Sequence, residues 1–184
     1  MGNTCLSFPR LETERLVLRL IVMADREAIY TLYNDEAVMQ YRGTDLFAAR
    51  TQADSLIRGF EEARQQKTGL RWALVFKGKE EELLGTAGLN KIDWRHFRGE
   101  IGYELSPAHW NKGLMTEALR AITNYSFKNL GLHTLEANIA PANLASERVL
   151  QKLQFVKEAH FRENWYYKGW WDSVIYTLHS NQNR

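Results

Sequence analysis

Residues 100–117, EIGYELSPAHWNKGLMTE, constrain this chain more than any other stretch. They read as a strand, a short loop with a helix breaker, and the first turn of a helix. Residues 100–105 are the strand, and Ser106-Pro107 ends it because proline cannot donate to a ladder. From Gly113-Leu114 onward, apolar residues recur at Leu114, Ala118, Leu119, Ile122 and Tyr125, a helical stripe. Between the two, Asn111-Lys112-Gly113 supplies small or left-hand-tolerant residues where the backbone must turn tightly. Such a loop leaves several N–H groups free and aims the positive end of a helix dipole outward, which suits phosphate. The same residues also suit an ordinary strand-to-helix connection, so the stretch alone leaves both readings open.

The flanking chain supplies the context. Residues 14–20 alternate Leu16, Leu18 and Leu20 against Val17 and Arg19, a strand with one buried face. Residues 24–33 read as a helix with Asp25 and Glu27 in its first turn. A second helix, residues 52–66, carries Leu56, Ile57, Phe60 and Ala63 on one face and Glu61, Glu62 and Arg64 on the other. Between these helices, residues 34–50 have no firm period and are read as a short helix and a loop. Residues 71–76 and 83–93 are strands around a charged hairpin loop, 77–82. Residues 95–99 then turn the chain into 100–105, giving a three-strand antiparallel meander. After the long helix, Gly131 sits where a C-terminal cap is expected. Residues 134–140 form a further strand, so a strand–helix–strand unit frames the loop, predicted parallel and right-handed. Asn143 is placed as N-cap of a helix over 144–153. Strands 155–166 and 170–179, joined at Lys168-Gly169, end the chain. One mixed α/β domain over residues 1–184 accounts for everything, with 1–10 read as a flexible tail.

Composition excludes several classes. A chain of 184 residues fits one domain. A formal charge of +2, with no long Lys/Arg run, argues against nucleic acid as a partner. No apolar run approaches the ~18 residues of a membrane span, and no signal peptide opens the chain, so a cytoplasmic protein without a membrane partner is expected. Cys5 is the only cysteine, which rules out a disulfide framework or a zinc cluster. The opening MGNTCL misses a myristoylation signal because Leu6 stands where Ser or Thr is required. His96, His109, His133, His160 and His179 show no ligand spacing, and no metal is expected.

Five pieces in order then carry a resemblance: TERLVLRL (13–20), EIGYEL (100–105), WNKGLMTEAL (110–119), ANIAPANLASERVLQKLQF (137–155) and GWWDSVIYTL (169–178). Together they resemble the GNAT superfamily of N-acetyltransferases, of the RimJ/RimL ribosomal-protein type. The resemblance implies a mostly antiparallel central sheet of about seven strands, splayed at a bulge near Leu105 and flanked by helices. It implies acetyl-CoA as donor. The family's pyrophosphate pattern, Gln/Arg-x-x-Gly-x-Gly/Ala, falls on Trp110, Asn111, Lys112, Gly113, Leu114 and Met115, with main-chain N–H groups from Lys112 to Thr116 as the cradle. Trp110 and Met115 depart from the pattern, which main-chain contacts tolerate. The pantetheine arm is expected along the edge at Tyr103 to Leu105, an addition of a strand-like ligand. Asn138 and Asn143 join the donor-binding set. Asn143 resembles the family asparagine that contacts the pantetheine amides, and plain N-capping is compatible with that role.

The resemblance also assigns chemistry. Ser146 resembles the serine that faces the thioester sulfur, and the position where many relatives carry a tyrosine acid is here Leu150. Ser146 is therefore the candidate acid for the departing thiolate and part of the donor site. The acceptor amine must attack neutral. An α-amine with pKa about 7.7–8.0 is roughly a fifth neutral near pH 7.3, against about one part in a thousand for lysine. A peptide N-terminus thus needs only a weak base. Glu100, Glu104 and Glu136 are candidates, with Glu100 and Glu104 on one strand face because they are four residues apart in a period of two. Trp165 falls near where RimL relatives place an acidic acceptor-site residue. Residues 34–50 are positioned to cover the acceptor. The expected partner is a primary amine, of a peptide N-terminus or of a small molecule such as an aminoglycoside, polyamine or amino acid, with a non-catalytic CoA-binding module as the third possibility. A monomer or a homodimer is expected.

Overall fold

In the computed structural model, residues 8–180 are described, and they build one eight-stranded sheet with helices on both faces. In chain order the strands are β1 (Leu11–Glu12), β2 (Leu16–Leu20), β3 (Leu70–Phe76), β4 (Lys79–Asp93), β5 (Arg98–Leu105), β6 (Thr134–Ile139), β7 (Val156–Tyr166) and β8 (Trp170–His179). The helices are α1 (Arg26–Tyr33), α2 (Glu36–Met39), α3 (Arg50–Gln65), α4 (Leu114–Lys128) and α5 (Leu144–Lys152). The spatial order is β1-β2-β3-β4-β5-β6-β8-β7, antiparallel throughout except for the β5–β6 pair. The expected count of about seven strands missed β1, a two-residue strand beside β2.

Alternation along the strands sorts the core onto two faces. Leu16, Leu18, Leu70, Trp72, Leu74, Ala87, Leu89 and Ile101 pack against the α4 stripe of Leu114, Ala118, Leu119 and Ile122. On the other face Ala73 meets Ile29, Leu32 and Tyr33 of α1 and Ala53 and Ile57 of α3. With both faces covered, β3 is buried along nearly its whole length.

The hairpin between β3 and β4 is tighter than its charges suggest. Phe76 pairs with Lys79 across a two-residue turn, Lys77-Gly78, and Glu80 to Glu82 are already strand. Their side chains are largely exposed, which is why a strand end there reads as a solvated loop. Residues 8–10, expected in the tail, are tied down: Phe8 packs edge-on against Trp72 at 5.7 Å, the Trp72 indole donates to the Pro9 carbonyl at 2.6 Å, and Arg10 pairs with Glu80. Cys5 and the MGNTCL opening lie outside the described residues. Among those described, no helix is long and apolar enough to cross a membrane.

What positions the site is the divergence of β5 and β6. They are paired only where Arg98, Glu100 and the glycine between them run beside Thr134, Leu135 and Glu136, and beyond Glu100 the two strands part. The irregularity in this part of the sheet is not at Leu105. It lies in β4, where the register with β5 slips around Asn90, between the Leu89–Ile101 and Lys91–Glu100 pairs. The opening therefore begins five residues earlier in β5 than the sequence suggested.

Candidate active site

The loop from Ser106 to Gly113 brings the chain from the open edge of β5 into α4. Two residues take left-handed backbone, Asn111 at φ 58° and Gly113 at φ 75°, and Gly113 is the N-cap of α4. The first helical hydrogen bond runs from the Glu117 N–H to the Gly113 carbonyl. The N–H groups of Leu114, Met115 and Thr116 consequently have no intrahelical acceptor. The side chains of Leu114 and Met115 turn into the core, 2% and 7% exposed, so at these two positions it is main chain that is left to face outward. Trp110 donates its indole N–H to the Leu105 carbonyl at 2.7 Å, closing the loop against the strand end. The Lys112 ammonium bends back to the Ala108 carbonyl at 2.7 Å, and its own carbonyl accepts from Arg15 at 3.0 Å. Arg15 also grips the Glu117 carboxylate, which accepts at 2.6 Å from the Thr13 hydroxyl as well. Against this loop lies a hollow of about 460 Å³ bordered by Gly113, Thr116, Arg120 and Lys152. The two cations could not be found from local pattern, because each sits on a different helix.

Where β5 and β6 part, a cavity of about 320 Å³ opens. Its β5 wall is formed by Glu100 to Glu104, and its β6 wall by Ala137 to Ala140 with Asn143 and Ser146 beyond. Asn138 and Ser146, predicted from distant parts of the sequence, thus line the same space as Glu100, Tyr103 and Glu104. The Asn143 side chain accepts the Ser146 N–H at 3.0 Å, the N-cap geometry expected of it. The Tyr103 hydroxyl lies 3.5 Å from the Ser146 carbonyl, and burial pushes the phenol up to about 12. Glu136 is not part of the cavity and is ion-paired with Arg98.

The two candidate bases on β5 differ in kind. Glu100 is half-buried and makes no hydrogen bond or ion pair among the described residues. Glu104 is buried and meets both Arg71 and Arg42, with the Tyr33 hydroxyl donating at 2.9 Å and the Thr86 hydroxyl at 3.1 Å. Burial alone would raise the Glu104 carboxyl, but the guanidinium groups of Arg71 and Arg42 overcome it and hold the carboxyl below the usual range. A carboxylate so engaged has little appetite for a proton. Between the two carboxylates, Gly102 leaves room for Asn90, whose amide oxygen accepts from Arg71 at 2.7 Å.

A strap of residues 40–49 covers the far side. The Phe47 ring stacks on Tyr33 at 5.1 Å, and Gly43 lies against the Trp165 indole. Asp45 accepts from the Tyr167 hydroxyl at 2.9 Å and pairs with Lys168 at 2.6 Å. Tyr41, Arg42, Gly43 and Thr44 of this strap line the cavity together with Trp165 and Trp171. Among the described residues, no three His, Cys, Asp or Glu side chains gather as a metal ion would require.

The arrangement can hold an anionic chain end at the αL turn, lay an extended ligand along β5, and place its tip beside a free carboxylate and a free hydroxyl. The acetyltransferase (GNAT) domain family matches residues 15–156. An uncharacterized N-acetyltransferase of Bacillus subtilis, YoaA, is 37% identical over 93% of this chain and 97% of its own. The Escherichia coli enzyme named [ribosomal protein uS5]-alanine N-acetyltransferase is more distant, 28% identical over 91% of this chain and 89% of its own. Among solved structures, the spermidine N-acetyltransferase of Vibrio cholerae in complex with CoA and spermine superposes with a TM-score of 0.78 at 22% identity, covering 89% of this chain and 95% of that one. The identity to the RimJ/RimL type is thus that of a distant relative, while the family itself is plain. The chain belongs to the GNAT family and is an N-acetyltransferase.

Proposed function

We propose that the protein transfers an acetyl group from acetyl-CoA directly to a primary amine, and that the acceptor is the α-amine of a peptide or protein N-terminus. The observation that carries this reading is the free Glu100 carboxylate and the free Ser146 hydroxyl on opposite walls of one cavity. The αL turn at Gly113 supports phosphate binding through N–H groups, with Arg120 and Lys152 at hand for further phosphate charge. The open edge of β5 beyond Glu100 suits the amides of the pantetheine arm.

In the reaction, Glu100 takes the proton of the acceptor ammonium, directly or through water. The neutral nitrogen attacks the thioester carbonyl, the C–N bond forms, and collapse breaks the C–S bond. The sulfur leaves as thiolate and receives a proton from Ser146, whose oxygen takes up the second proton that the nitrogen sheds as the amide forms. Because an α-amine titrates near neutrality, a single half-buried carboxylate is sufficient as base.

A small amine is the second reading, favoured by the strap that narrows the cavity between Gly43 and Trp165. The spermidine enzyme of Vibrio cholerae has this fold. Incubating the full chain with acetyl-CoA and following thiol release separates the two. Peptides with free N-termini are expected to turn over and to carry the acetyl group on the α-nitrogen by mass spectrometry. Turnover of diamines and aminoglycosides with no peptide acetylated would overturn the peptide reading.

A further inference from the structure

The acceptor cavity holds two charges of opposite sign that nothing among the described residues balances. The first is at the Glu104 end, where two guanidinium groups meet one carboxylate. Arg71 is fully committed, with bonds to Thr86, Asn90 and Glu104 and a side chain 3% exposed. Arg42 is not. Its side chain is 35% exposed, it lines the cavity, and Glu104 is its one hydrogen-bond and ion-pair partner among the described residues. The Tyr33 ring lies 5.0 Å beneath it. A guanidinium carries five donors, so a single carboxylate contact leaves most of the fork to whatever enters.

The second unbalanced charge is Glu100. It lies four residues back on the same strand face, about 13 Å away at roughly 3.3 Å per residue. Asp172, the other acid of the cavity wall, is already held by His160 at 2.7 Å and by the Glu163 N–H at 2.9 Å. Ser173, also of the cavity lining, has a buried hydroxyl, 4% exposed, with no hydrogen-bond partner among the described residues. A half-buried charge with no partner, or one that shares its only counter-ion with a second cation, is costly, and a ligand of complementary charge removes the cost. The strap bearing Arg42 is itself fastened through Asp45 to Tyr167 and Lys168, so the guanidinium is held in place before any acceptor arrives.

We infer that the acceptor is a primary amine that also carries an anionic group several bonds away, and that Arg42 is the residue that reads that group. The amine sits toward Glu100 and Ser146, and the anion toward Arg42. For a peptide this is an acidic side chain within the first few residues; for a small molecule it is a carboxylate at the far end of an aminocarboxylate. The inference rests on the acetyl-transfer reading above and narrows its acceptor.

The test uses the full chain, acetyl-CoA and matched pairs: peptides that differ only by Glu against Gln at the second, third or fourth position, and aminocarboxylates against plain amines of equal length. The wild type is expected to favour the anionic member of at least one series by about tenfold or more in kcat/KM, chiefly through KM. Arg42→Gln should bring that ratio toward one, and Arg42→Lys should retain part of it. Glu104 keeps Arg71 in both variants, so its charge is not left unpaired. Equal turnover of both members of every pair by the wild type, a preference for the uncharged members or for diamines, or an unchanged ratio in a folded Arg42→Gln protein would each overturn the inference. Should that variant not fold, the wild-type ratios alone decide. Preferred turnover of aminocarboxylates with no peptide acetylated would support the Arg42 assignment while overturning the peptide reading, so the two failures are distinguishable.

Discussion

In the proposed reaction, two hydroxyls on opposite walls are the candidates to protonate the departing thiolate. Ser146 has no hydrogen bond to its side chain among the described residues, while Tyr103 reaches the Ser146 carbonyl at 3.5 Å. Burial holds the Tyr103 phenol at about 12, which keeps it protonated through the neutral range, but its hydroxyl is directed at the Ser146 carbonyl, whereas the Ser146 hydroxyl is uncommitted among the described residues. Ser146→Ala is therefore expected to lower kcat by roughly 10²-fold with little change in KM for acetyl-CoA. Steady-state kinetics of Ser146→Ala beside Tyr103→Phe decides the matter: a larger kcat loss in the tyrosine variant would move the acid to β5. For Glu100→Gln the base is lost but the amine is not. An α-amine becomes neutral on its own above about pH 8, so the defect should be largest below about pH 7 and shrink as pH rises. A defect that stays constant across a pH–rate profile would mean Glu100 positions the acceptor rather than deprotonating it.

The loop proposed to bind the donor is held by partners from outside it. Gly113 needs its left-handed φ of 75°, and a Cβ there costs roughly 1–2 kcal/mol. Gly113→Ala should raise KM for acetyl-CoA by about five- to thirtyfold and leave kcat nearly intact, as titration of initial rates against the donor will show. An equal fall in kcat would mean the turn also sets the reaction geometry. This element was legible in the sequence because its signals are local: Pro107 after a strand, Asn111 and Gly113 in the turn, and a helical stripe behind them. The Arg15 clamp on Glu117 was not legible, since 102 residues separate its members. The same holds for the strap of residues 40–49, whose order comes from Tyr33, Trp165 and Tyr167 rather than from any period of its own. Residues 79–82 were misread for a different reason: a strand end with exposed charges on it has the composition of a loop. The parting of β5 and β6 was foreseen, but its start at Glu100 and the register slip around Asn90 depend on β4 pairing, which no pattern within β5 reports.

At the scale of the molecule, Glu104 joins elements that the chain order keeps apart. It lies 33 residues from Arg71 on β3 and 62 from Arg42 on the strap, and it accepts from Tyr33 at the end of α1 and from Thr86 on β4. One carboxylate thus ties a helix, a loop and three strands together at the wall of the cavity. Glu104→Gln removes the charge and leaves Arg71, 3% exposed, without its counter-ion. Breaking a buried pair in this way costs on the order of 3–5 kcal/mol, so the variant should unfold at markedly lower urea concentration at pH 7. The pH dependence has a definite sign. The Glu104 carboxyl is held below its ordinary value in the folded protein, against an unfolded value of about 4.3. Its contribution is therefore fully present above about pH 4.3 and is lost as pH falls through the lower, folded value. The difference in unfolding free energy between wild type and Glu104→Gln should be largest at neutral pH and narrower in acid, as pH falls through the lowered, folded value of the carboxyl. A gap that stays the same at both pH values, measured by urea denaturation, would mean the cost lies in packing around residue 104 rather than in its charge.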